Sequence, residues 1–253
     1  MIPRHGVGSR KEIYMCKEAS FVLTKDKIFW SKTTDSHEEI ISEYELHADG
    51  AGGPNIVRVE ITPAGGDYTL PVDQWVYRVD QDELPDWYEA AECEARVREA
   101  LPAWVESKLV LPGEIRSVKA GGYVARVYGT VQAVYDGGTV QAVYDGGTVQ
   151  DVRCGGTVQA VYDGGTVQDV RCGGTVQAVW NGGTVQKVWN GGTVQRVYGT
   201  VHKVFGTVQK VWNGGTVQKV WNGGTVQVVY GTVHKVFGTV QKVWNGGTVQ
   251  KVW

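Results

Sequence analysis

No apolar run in this chain approaches the length of a membrane span. Its first residues, MIPRHGVGSRKEIYMC, are charged and lack the apolar segment of a secretory signal. The four cysteines, Cys16, Cys93, Cys154 and Cys172, fall in no metal-ligand spacing, which excludes the zinc-finger patterns and points to free thiols in a reducing compartment. The expectation is a protein without membrane contact, cytoplasmic or virion-associated. Catalytic signatures are equally scarce. His37-Glu38-Glu39 does not continue into the H-E-x-x-H pattern, and no G-x-S-x-G, Walker or Rossmann glycine pattern occurs. Asp67, Asp73, Asp80, Asp82 and Glu83 read as a solvated loop surface. Neither an enzyme, a cofactor nor a metal is expected. Two Met and four Phe stand against ten Trp, twelve Tyr and 35 Gly, a bias that a repetitive sequence would impose.

Acidic residues are also missing from one stretch. Residues 184–253 contain eight Lys/Arg and not one Asp or Glu, whereas residues 1–113 hold 21 Asp/Glu against 12 Lys/Arg. The chain therefore reads as two parts, an acidic domain over 1–113 and an array over 114–253 that is basic and aromatic from about residue 184.

The array has seventeen units of the form T-V-Q-x-V-aromatic-(D/N/C)-G-G, counting two degenerate leaders and an incomplete last one. Most units have nine residues; some, such as 193–199 and 200–206, have seven. A fixed short period marks a stacked architecture whose single unit cannot bury its own face. The two valines of each unit are three apart, so a straight strand would send them to opposite sides. A bend between Gln and x turns both inward and leaves a β-solenoid with a thin Val interior and corners at the Gly pairs, where positive φ costs little. A single-layer meander competes, since NGG and DGG can reverse a chain, but the single Gly of the short units bends without reversing. TVQDVRCGG recurs every second unit, which suggests two units per coil and puts Cys154 and Cys172 on neighbouring rungs about 4.8 Å apart. Three units per coil remains the alternative. Eight or so coils make a rod on the order of 40 Å long.

The first part reads as a small α+β domain. Residues 20–31 form a hairpin, and Ser36-His37-Glu38-Glu39 is a capping box opening a helix to about Leu46. Residues 55–62 and 74–79 alternate as strands do. Pro85-Asp86 opens a second helix that runs to about Leu101 and stops at Pro102. Placed before an array, this domain is expected to cover the first coil.

The array resembles the short-repeat β-solenoids, the group of pentapeptide, hexapeptide and Gly-rich nonapeptide proteins. It lacks the G-G-x-G-x-D phrase, so the calcium ligands of the nonapeptide toxins are absent, and it lacks the A-(D/N)-L-x-x phrase of pentapeptide proteins. DSHEEII, VRVEITP and WVYRVDQDELPDWY in the first part resemble an uncharacterised domain found ahead of repeats in phage and prophage proteins. That resemblance implies no activity.

The expected function is that of a non-enzymatic structural or binding repeat protein. Its candidate binding stripe is Lys187, Trp189, Arg196, Lys203, Lys210, Trp212, Lys219, Trp221, Lys235, Lys242, Trp244, Lys251 and Trp253, cations and rings that would share one outer face. Such a stripe suits single-stranded nucleic acid or another polyanion. It equally suits a sheet whose rings stack for their own sake while Lys blocks aggregation. Outward Thr rows offer a further reading, an ice or polysaccharide surface, against simple hydrogen-bonded ladders. His202 and His234 read as solvated variants of the Gln row. The final TVQKVW breaks off within a unit, and association with a second copy through the C-terminal coils is the favoured expectation over filaments or a truncated tract.

Overall fold

The computed structural model describes residues 19–50, 53–68 and 70–253. The opening segment read for a targeting signal, and Cys16, lie outside the described residues.

In the first compact unit, β1 (Ala19–Leu23) and β2 (Ile28–Phe29) form the expected hairpin, closed by Thr24 N–H donating to the Lys27 carbonyl at 2.9 Å. α1 (His37–Glu43) follows, then a minimal pair, β3 (Asp49–Gly50) and β4 (Gly53–Pro54). β5 (Val57–Thr62) and β6 (Val76–Val79) complete an antiparallel sheet of order β2-β1-β5-β6. Alternation along β5 buries Val57, Val59 and Ile61, while every residue of β1 is buried. Val22 and Ile56 close over Ile40 of α1.

Only half of the capping box forms. Ser36 Oγ accepts from Glu39 N–H, but Ser36 N–H donates to Thr34 Oγ1 at 3.0 Å instead of to the Glu39 side chain. The helix ends at Glu43, short of the expected Leu46, because Glu45 takes a left-handed φ of 51°.

The second helix departs further from expectation. α2 spans Ala90–Lys108 and carries Pro102 inside it. Pro85 closes a separate turn, with Tyr88 N–H on its carbonyl, so the helix starts later. It then continues through a proline that costs about 3 kcal/mol. Leu101, Trp104 and Val105 are all buried around that proline, and large apolar side chains contribute about 1.5–3 kcal/mol each, enough to offset it.

The compact units divide between Ala100 and Leu101, thirteen residues before the compositional boundary of the array, so the second half of α2 belongs with the repeats. After Leu101–Lys108 the second unit is a β-solenoid. Its strands form two nine-stranded sheets. Sheet I runs from Ile115–Val118 to Thr248–Val252, and sheet II from Leu109–Val110 to Thr239–Val243. Successive units alternate between the sheets, so a strand pairs in parallel with the unit two further on and each coil holds two units. Coil length varies without loss of register. Thr130 faces Thr148, 18 residues on; Thr184 faces Thr200, 16 on; Thr193 faces Thr207, 14 on.

Each five-residue strand pairs through its Thr, Val, x and second Val, and the ladder skips the Gln. The backbone bends there, which turns both valines inward. Val149 and Val152, like their equivalents from Val131 to Val233, are completely buried. Among the described residues the resulting core is a cluster of thirty valines and no other residue type.

The two glycines of a corner serve different ends. Gly146 has φ of 74°, the left-handed turn conformation. Gly147 does not; a Cβ there would sit 2.2 Å from the Val127 carbonyl oxygen of the preceding coil. The lone glycine of a short unit is of this second kind, as Gly199 shows against the Trp180 carbonyl. Close approach between coils, more than turn geometry, makes that position glycine. At the same corners Cys154 and Cys172 are free, exposed thiols.

Candidate functional site

Alternation between sheets divides the sequence stripe in two. Sheet I receives Lys187, Lys203, Lys219, Lys235 and Lys251, directly opposite one another on five consecutive rungs. At the same position sheet II receives Arg196, Lys210, Val228 and Lys242, a row interrupted by an apolar side chain. The rings follow their units: Trp189, Trp221 and Trp253 to sheet I, Trp212 and Trp244 to sheet II. Below Lys187 the sheet I row continues as Asp169 and Asp151. These acids are engaged: Asp151 meets Arg171 at 2.5 Å and Arg153 at 3.3 Å, and Asp169 meets Arg171 at 3.3 Å and accepts from Trp189 Nε1 at 2.9 Å.

Several ammonium groups fold over the rings. Lys219 Nζ lies 3.3 Å from the centroid of Trp221 and 4.9 Å from that of Phe237. Lys242 Nζ lies 3.8 Å from Trp244, with Lys187 and Lys210 farther from Trp189 and Trp212 at 5.5 and 5.6 Å. Loss of solvent around Lys219, and then its neighbours Lys235 and Lys203, pull its ammonium below the ordinary lysine range.

The rings form two stacked columns. On sheet I the column is Trp189, Phe205, Trp221, Phe237 and Trp253, with centroids 5.3–5.7 Å apart. On sheet II it begins at Tyr128, well before the stretch singled out from sequence, and passes through Tyr144, Tyr162, Trp180, Tyr198, Trp212 and Tyr230 to Trp244. The signal was present, since an aromatic occupies the sixth position of most units; the change of charge at residue 184 hid it. Every interior ring has its faces taken up by neighbours one rung away. The columns therefore present mainly ring edges, with the lysine row of sheet I alongside its own column.

The third position of sheet I reads Gln186, His202, Gln218, His234 and Gln250. His202 and His234 sit two rungs apart with Gln218 between them, and His234 Nδ1 lies 2.8 Å from Gln250 Oε1. The Thr rows stand in register, Thr facing Thr, at half-buried positions.

The first unit holds one group of side chains that no spacing along the chain joins. His37 at the start of α1, Glu60 of β5 and Asp80 just after β6 bring three potential ligand atoms within 4.8 Å of one another. His37 is buried, its Nε2 3.1 Å from the Val59 carbonyl oxygen and its Nδ1 3.1 Å from Asp80 Oδ2. More than twenty residues separate His37 from Glu60, so no motif could have announced the trio.

Among the described residues no helix is long and apolar enough to cross a membrane. Compared with protein-family models, curated proteins and solved structures, the chain matches none, and what it is rests on its own geometry: a short α+β unit followed by a two-sheet β-solenoid of about nine coils.

Proposed function

We propose that the chain is a non-enzymatic binding rod that holds a flexible polyanion, such as single-stranded nucleic acid, along the lysine row of sheet I. One observation carries this reading: five lysines stand directly opposite one another on consecutive rungs with no acid among them. Like charges placed opposite each other destabilise a sheet. A row of five is a standing cost that a bound polyanion relieves, releasing counterions as it does so. Because ring faces are occupied, charge and not base stacking supplies the affinity, and discrimination between bases is expected to be slight. The test is binding of a labelled single-stranded oligonucleotide at low salt. Lys203→Gln, Lys219→Gln and Lys235→Gln together should abolish most of it, and no binding by the unaltered chain at 50 mM salt would refute the reading.

A place in a phage particle rests on the resemblance of the first domain alone.

A further inference from the structure

We infer that His37, Glu60 and Asp80 form a binding site for one divalent transition-metal ion, zinc being the ion that suits their chemistry best. The argument starts from the buried imidazole. Its Nε2 lies 3.1 Å from the Val59 carbonyl oxygen, which can only accept, so Nε2 carries a hydrogen. A neutral ring then directs the lone pair of Nδ1 outward. Nδ1 is 3.1 Å from Asp80 Oδ2, with a Glu60 carboxylate oxygen inside the same 4.8 Å group. A lone pair 3.1 Å from the Asp80 carboxylate is repulsive unless a cation stands between them. That cation is either a second ring proton or a metal ion.

Three features favour the metal. An imidazole whose far N–H is fixed on a backbone carbonyl has the orientation that metal-bound histidines take. The donors come from three separate elements, the start of α1, the middle of β5 and the end of β6, so the fold and not a local charge run assembles them. The distances also fit: bonds of about 2.0–2.2 Å in a tetrahedral site place ligand atoms roughly 3.3–3.6 Å apart. The His37–Asp80 pair is already near that, and Asp80, whose side chain is 56 % exposed, has room to rotate and close the rest. One nitrogen with two carboxylates suits zinc-like ions, whereas magnesium and calcium favour all-oxygen sets. Three protein ligands leave a position for water. The positive end of α1, and Arg78 opposite Glu60 on β6, work against a cation, so the site should bind less tightly than a four-ligand structural zinc site.

The experiment uses the full chain with Cys16→Ser, Cys154→Ser and Cys172→Ser, which removes the competing thiols outside the buried Cys93. Zinc is titrated at pH 7 by calorimetry, and the His37 ring nitrogens are followed by 15N NMR. The expected result is one equivalent bound, the Nδ1 resonance shifting with zinc, and affinity weakened at least about tenfold by Asp80→Asn or Glu60→Gln. Both variants keep the side-chain shape, and circular dichroism confirms their fold. No binding, binding indifferent to both variants, or a ring that stays protonated on both nitrogens in saturating zinc would overturn the inference; the last needs no variant at all.

Discussion

Replacing three lysines of sheet I should change how binding responds to salt, by an amount that follows from the rung count. Five ammonium groups on consecutive rungs span about 19 Å at roughly 4.8 Å per rung. Each contact with a single-stranded phosphate contributes about 0.7 to the slope of log affinity against log salt. Five contacts give a slope of about −3.5, a loss of roughly 130-fold between 50 and 200 mM salt. Lys203→Gln, Lys219→Gln and Lys235→Gln leave two contacts, a slope of about −1.4 and a loss of only about sevenfold over the same range. Arg196→Gln, Lys210→Gln and Lys242→Gln remove the same formal charge from sheet II and should leave the slope near −3.5. Fluorescence anisotropy with a labelled oligo-dT, repeated at four salt concentrations, reads all three slopes. Equal flattening by both triple variants would mean that net charge and not the row does the binding, and the reasoning from register would fail.

Other expectations concern the scaffold. Gly147→Ala should cost about 3 kcal/mol in urea denaturation, since its Cβ would meet the Val127 carbonyl oxygen at 2.2 Å, while Gly146→Ala, strained only by its φ, should cost about 1–2. Of the three described thiols, Cys154 and Cys172 should react with a disulfide reagent in the native state. Cys93, buried and with its thiol pushed up by that burial, should react only on unfolding, and a fast third equivalent that survives Cys16→Ser would contradict this. Burial first of all raises Tyr77, Tyr144 and Tyr162 above the ordinary phenol range, so the folded state keeps protons that the unfolded chain loses near pH 10. Stability should therefore be level below that pH and fall as pH rises above it, and Tyr144→Phe with Tyr162→Phe should flatten the fall.

The solenoid was legible because its signal is local. Two valines three apart cannot share a straight face, and a lone Gly bends a chain without reversing it, so a bent parallel coil was favoured over a meander. Cys154 and Cys172, recurring every second unit, favoured two units per coil over three. What could not be read were relations set by the third dimension. The stripe looked continuous along the chain, yet Lys203 and Lys210 lie on different sheets. Pro102 looked like a helix stop, but its cost was outweighed by burial of Leu101, Trp104 and Val105 that no periodicity advertised. The second glycine of each corner looked like a turn residue and is one of contact between coils. His37, Glu60 and Asp80 meet only because β5 and β6 pair beside α1.

Strict alternation of units between two sheets gives the array a parity. Residues 193–224 and 225–253 repeat the same run of four units, the second copy cut short, and four units advance two whole coils, so Lys203 and Lys235 arrive on one face, as do Lys219 and Lys251. Gaining or losing one unit would instead hand every downstream strand to the opposite side, ending the cationic row on one face and resuming it on the other. An array of this kind can change its length by duplication and keep its surface only in even steps.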